Sequence, residues 1–153
     1  LITIQLKKEG LEKALAKLGK KGSDLREPLS IIGEIVVSSV DKNFQVEGRH
    51  SGDPDSIFGG SKKWAEWSDK WAKRREDMGK LGKILTLNGG LASSVAYEVA
   101  GDAVTISSAK LYASSLHHGD RSRGLPARPF MVIQDEDLDE MNEVLASFLT
   151  SKK

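Results

Sequence analysis

Asp24-Leu-Arg-Glu-Pro-Leu-Ser-Ile-Ile-Gly-Glu-Ile-Val-Val-Ser-Ser-Val-Asp-Lys-Asn-Phe-Gln-Val46 reads as the spine of this 153-residue chain. Leu25, Leu29, Ile32, Val36, Val40 and Phe44 step by three or four residues and draw one apolar stripe along a helix. Ser23 or Asp24 can cap it, and Pro28 is tolerated because it falls in or near the first turn. Such a helix is about 35 Å long, and everything else must pack around it.

Before the spine, Ile2, Ile4 and Leu6 alternate with polar residues and predict a short half-buried strand. Leu11, Leu15 and Leu18 then follow helical spacing, and Gly19 and Gly22 end that helix. Beyond the spine, residues 48–61 (GRHSGDPDSIFGGS) have no period and predict an exposed, mobile loop. Ile84-Leu-Thr-Leu87 runs into an Asn88-Gly-Gly90 turn. Val95, Tyr97 and Val99, then Gly101-Asp102, then Val104 and Ile106 predict a β-hairpin with a two-residue turn. Leu138, Met141, Leu145 and Phe148 mark a final amphipathic helix with acids in its first turns, where the helix dipole favours them. The fold class is α+β: a small antiparallel sheet packed against one long helix and a C-terminal amphipathic helix, in a single domain over 1–153.

Composition narrows the function. Hydrophobic residues at 39% and charged residues at 29% describe a globular balance, and the absence of cysteine excludes disulfide and thiolate chemistry. No apolar run approaches the ~20 residues that span a bilayer, and the stretch Leu1 to Leu6 is too short for a signal sequence. A start at Leu1 rather than Met leaves room for preceding residues. The net charge of +1 argues against a dedicated nucleic-acid binder. Charge is unevenly spread, with six acids and no base from Met131 to Leu149 (Asp135, Glu136, Asp137, Asp139, Glu140 and Glu143). Lys7, Lys8, Lys13, Lys17, Lys20 and Lys21 crowd the first half. Two readings stand: head-to-tail association of identical copies, or two solvated helix faces.

No constellation carries catalysis. His50, His117 and His118 lack metal-ligand spacing, so one of the adjacent pair is expected to pack or hydrogen-bond while the other faces solvent. Asp120 and the scattered serines form no nucleophile elbow. No cofactor, metal or catalytic residue is assigned. Trp64, Trp67 and Trp71 would share one face of a helix, which either docks on the core or anchors a partner. Base stacking is a third reading, because residues 62–77 carry six bases against four acids.

Two further segments are distinctive: Tyr112-Ala-Ser-Ser-Leu-His-His-Gly119 and Leu125-Pro-Ala-Arg-Pro-Phe130. The prolines stiffen the backbone and push Leu125 and Arg128 towards extended conformations, which would present Arg128 at a fixed place beside an apolar anchor, Phe130.

Together with Ile84-Leu-Thr-Leu-Asn-Gly-Gly-Leu91, these segments resemble the virion-morphogenesis or tail-completion family of Mu-like phages and prophages, from about Phe44 to the C-terminus. Pro126-Ala-Arg-Pro-Phe130 shortly after His-Gly is the most specific element. Trp64-Ala-Glu-Trp67-Ser68 matches the family's upstream Trp pattern loosely, Asn88-Gly89-Gly90 replaces Thr-Gly, and His118 stands where Gln is usual. The resemblance implies a non-enzymatic neck or tail component that caps or completes the tail at the head–tail junction. It also implies a homo-oligomeric ring, often sixfold, contacting tail-tube and neck proteins, assembled in the bacterial host cytoplasm and carried in the virion. The candidate interface residues are Trp64, Trp67, Tyr112, His117, Gly119, Pro126, Arg128, Pro129 and Phe130. The rival reading is a small nucleic-acid-binding module using Lys62, Lys63, Lys73, Arg74 and Arg75 with the tryptophans.

Overall fold

A computed structural model describes Ile2–Gln5, Glu9–Lys20 and residues 24–151. The expectations placed on Leu6, Lys7, Lys8, Lys21, Gly22 and Ser23 lie outside those residues.

The chain is α+β. Strand β1 (Ile2–Gln5) and helix α1 (Glu9–Lys20) precede the spine, α2 (Arg26–Gln45). Helix α3 (Asp69–Asp77) precedes the hairpin of β2 (Val95–Ala100) and β3 (Ala103–Ser108). Helices α4 (Ala113–His118) and α5 (Asp135–Thr150) complete the order. The sheet runs β1-β3-β2, all antiparallel, with Ile4 opposite Ile106 and Tyr97 opposite the same Ile106. Ala100 pairs with Ala103 across Gly101-Asp102, the two-residue turn expected from the sequence. No helix among the described residues is long and apolar enough to cross a membrane.

Helix α2 is buried on two sides, because β2 and β3 cover one face and α5 another. Leu29, Ile32, Val36, Val40 and Phe44 form the expected stripe, each at most 2% exposed. A second line, Ile35, Ser39 and Asn43, is also buried, and its polar members have no counterpart in the apolar pattern. Leu25 stands at the N-cap, and Asp24 Oδ1 accepts from the Arg26 N–H at 2.9 Å, satisfying a donor of the first turn. At the other end Glu47 takes a positive φ of 59°, and the Gly48 N–H donates to Asn43 O at 2.9 Å, closing the helix in a left-handed cap. Gly48 has no substitute there. Its φ is 107°, and a Cβ would lie 2.7 Å from the Trp64 backbone nitrogen.

Residues 48–61 were expected to be exposed and mobile. They are partly exposed and hydrogen-bonded to the rest of the fold: His50 and Lys62 exchange backbone hydrogen bonds at 3.0 Å, and Gly59 N–H donates to Ile133 O at 2.7 Å. Gln134 Nε2 donates to Arg49 O at 2.7 Å, tying the loop to the start of α5. Backbone groups that lack a regular ladder have found partners elsewhere. Helix α1, which carries Lys13, Lys17 and Lys20 with Glu9 and Glu12, packs directly on acidic α5.

Gly33, in the middle of α2, lies under the Tyr97 ring; a Cβ there would sit 2.4 Å from the ring. Alanine would gain about 1 kcal/mol in helix propensity. Overpacking costs about 1–3 kcal/mol, and the clash wins. Gly33→Ala should lower the unfolding midpoint, and Gly33→Ala with Tyr97→Ala should cost less than the sum of the singles. Simple additivity in that double-mutant cycle would show that the ring does not rest on this glycine.

Candidate functional site

The double-proline segment turns inward. Arg128, Pro129 and Phe130 are buried, as are Met131, Val132 and Ile133 behind them. Phe130 is therefore not an anchor offered to a partner; its ring packs 5.4 Å from Phe44 and 5.2 Å from His117. The physical reason is the apolar run Phe130-Met-Val-Ile133, which enters the core whole rather than leaving Phe130 at an edge.

This strip lies outside the three-stranded sheet, so side chains satisfy much of its backbone. Trp64 Nε1 donates to Pro129 O at 2.7 Å. Asn43 Nδ2 donates to Phe130 O at 2.9 Å and to Val132 O at 3.2 Å. His117 Nδ1 accepts from the Phe130 and Met131 N–H groups at 3.3 and 3.4 Å. Arg49 fixes Asn43 by donating from Nε to its Oδ1 at 2.9 Å, and it also bonds Ser39 and Glu136. Ser39 in turn donates a short hydrogen bond to the buried Asp137 carboxylate, which also accepts from the Gln134 N–H that opens α5. Ser39, Asn43 and Arg49 gave no signal beyond their polarity and, for Ser39 and Asn43, a spacing of one turn beside the apolar stripe. Asp137 reads from the sequence only as one of the clustered acids of α5.

Arg128 is likewise an internal staple rather than a presented side chain. Its Nε donates to Ala65 O at 2.8 Å and Nη2 to Glu66 O at 2.9 Å, while its N–H donates to Leu116 O at 2.9 Å. Burial lowers its pKa, yet a guanidinium stays protonated in proteins and keeps its donors. It thereby joins the segment before α3 to α4. Gly119 makes the turn between: its φ is 79°, and a Cβ would lie 2.8 Å from Ala127 N.

The three tryptophans do not share a helix. Ser68 caps α3 and accepts from the Trp71 N–H, so only Trp71 is helical. Trp64 sits in the core, 3% exposed and edge-on to Phe44. Trp67 is half-buried, with the Arg75 guanidinium stacked 4.6 Å from its ring.

Trp67 and Trp71 form one wall of a groove of about 1110 Å³. Leu85, Leu87 and Leu91 line another side, and Tyr112, Leu116, Leu125 and Pro126 close it. Arg75, Lys110, Arg121 and Arg128 are among its lining residues with one carboxylate, Glu66, but Arg75 and Arg128 are buried and bonded to backbone carbonyls. Leu85 holds a positive φ of 61°, an uncommon conformation for a branched residue and the kind of local strain that gathers at functional sites. Trp67, Tyr112, Pro126 and Arg128 thus meet at the groove, whereas Trp64, His117, Pro129 and Phe130 stand behind it as its foundation.

The cations proposed for nucleic acid are partly spent inside the fold. Arg75 is 3% exposed and donates to Lys80 O at 2.7 Å, and Lys63 Nζ donates to Val46 O at 2.6 Å. Buried Trp64 has no face free for a base.

Of the adjacent histidines, His117 is buried and His118 is exposed beside Asp55, 3.3 Å away. Burial, helped by the neighbouring His118, lowers the His117 pKa from 6.5 to about 4. The neutral ring suits its role, because Nδ1 must keep a lone pair to accept. Protons bind the unfolded chain more readily here, so this contribution is complete above pH 6.5 and disappears as pH falls to about 4. Its size is about 3 kcal/mol. Chemical denaturation from pH 7 to 4 should show that loss, and His117→Asn should flatten the curve over this window. Parallel curves for the two proteins would refute the assignment.

Residues 6–150 match the phage virion morphogenesis family. The chain is also similar to the putative capsid assembly protein G of Escherichia phage Mu, 34% identical over 128 residues that cover 79% of this chain and 76% of that protein. No solved structure matches. A match over nearly the whole chain, and a relative this similar over most of both lengths, show that the chain belongs to the phage virion morphogenesis family.

Proposed function

We propose that this protein is a non-enzymatic structural component of the head–tail junction, completing or capping the tail through protein–protein contacts. It works as a homo-oligomeric ring, with sixfold symmetry as the expected form, and touches tail-tube and neck proteins. Assembly takes place in the host cytoplasm, and the protein stays in the neck region of the virion. Family membership supports a role in building the particle. The Mu relative is named for capsid assembly, whereas the sequence motifs resemble tail completion, and the junction is where head and tail meet.

The observation that carries this reading is the groove. Its walls hold Trp67, Trp71, Tyr112, Arg121 and Arg128, residue types that dominate protein interfaces. Its lining has no histidine, aspartate or cysteine, so Glu66 would be the one carboxylate there to serve as a base. Such a wall is suited to binding.

Deleting the gene and imaging particles from the induced phage should give unjoined heads beside tails, with tails of irregular length. Normal infectious particles would overturn the proposal. Arg128→Ala removes the bonds to the carbonyls of Ala65 and Glu66, at a cost of about 1–3 kcal/mol, and loosens the Trp67 wall. The variant should remain soluble but complement the deletion poorly; complementation at parental yield would remove Arg128 from the assembly machinery.

A further inference from the structure

The exposed large apolar side chains fall into two sets along the chain. Leu87 and Tyr112 line the groove, Leu111 stands between its lining residues Lys110 and Tyr112, and Met78 and Leu81 lie in the connection between Arg75 and Leu85. Val46 and Phe58 form the other set, 42% and 40% exposed, and no residue from 46 to 63 lines the groove. The loop around Phe58 does not fill the groove of its own chain.

We propose that the groove is filled by the 53–58 loop of a second copy of this chain. This rests on the self-association reading above and names the contact that would build it. Charge complementarity selects the occupant. Lys110 and Arg121 are the lining cations not already spent on backbone carbonyls, and Glu66 is the one carboxylate in the lining, whereas residues 50–61 carry Asp53 and Asp55 and no lysine or arginine. An apolar floor flanked by cations fits an aromatic ring flanked by carboxylates.

The loop is also preorganised, so little order is lost on docking. Asp53 Oδ1 accepts from the Asp55 N–H at 2.9 Å, and Ser56 Oγ accepts from the Phe58 N–H at 3.1 Å. Ile133 N–H donates to Ile57 O at 2.9 Å, and Gly59 N–H donates to Ile133 O at 2.7 Å, bracketing Phe58. The Gly-Asp-Pro-Asp segment is thus shaped by local turns and by its bonds to Ile133. Because groove and loop are different surfaces, the contact is heterologous: each copy gives a loop to one neighbour and a groove to the other, and a suitable rotation closes a ring.

Sedimentation velocity on the purified chain tests the contact. The parent should form oligomers that grow with concentration until the ring closes. Phe58→Asp and Leu87→Arg should each be monomeric, since one half of every contact is spoiled. An equimolar mixture should stop at a heterodimer, the intact groove of Phe58→Asp taking the intact loop of Leu87→Arg. If Phe58→Asp melts early by circular dichroism, Asp55→Lys replaces it, with the same expected monomer and the same heterodimer on mixing. Variants that assemble like the parent, or a mixture that stays monomeric, would overturn this contact while leaving self-association intact. A parent chain that is monomeric even at millimolar concentration would overturn both.

Discussion

A buried strip, Pro129 to Ile133, lies in the core outside the sheet, with one isolated parallel bridge from Ile133 to Phe58, and the need to satisfy its backbone organises the protein. Unpaired amide groups in that setting would each cost about 1–3 kcal/mol. The partners come from everywhere: Asn43 on α2, His117 on α4, Trp64 from the approach to α3, and the backbone of Ile57 and Gly59 in the long loop. One buried strip thereby ties together elements that are far apart in sequence. Asn43 is itself held by Arg49, and the network continues through Ser39 and Asp137 into α5. Such a network specifies one arrangement of the helices, where apolar packing alone would accept several.

The groove follows from this foundation. Trp64 is fixed below by Phe44 and Pro129, and Arg128 holds the carbonyls of Ala65 and Glu66, so Trp67 is set at the mouth. Ser68 then starts α3, and Arg75 returns from that helix to stack on Trp67. Across the groove, Gly119 folds Pro126 and Leu125 against α4. Walls held in this way fit the proposed contact with a partner, since little order is then lost on binding.

Much of the fold was legible because it depends on local rules. The α2 stripe, the Gly101-Asp102 hairpin and the acidic start of α5 each follow from period, turn chemistry or helix dipole. The site was legible only as a set of places. Pro126, Arg128 and Phe130 stood out, but their directions did not, because stiffness in the backbone says nothing about which way a side chain faces. The tryptophans illustrate the same limit: their spacing matches a helix, yet Ser68 begins that helix after two of them have passed.

What the sequence determined by itself is the order of elements, the α+β class and, through the Pro-Ala-Arg-Pro-Phe motif, the family. These are carried by near neighbours in the chain. Only the tertiary structure decided that Arg128 and Phe130 point inward, that the loop at 48–61 is stitched to α5, and that basic α1 lies on acidic α5 within one chain. Those outcomes depend on hydrogen-bond partners and packed faces many tens of residues apart, and burial alone sets which polar groups must find one another.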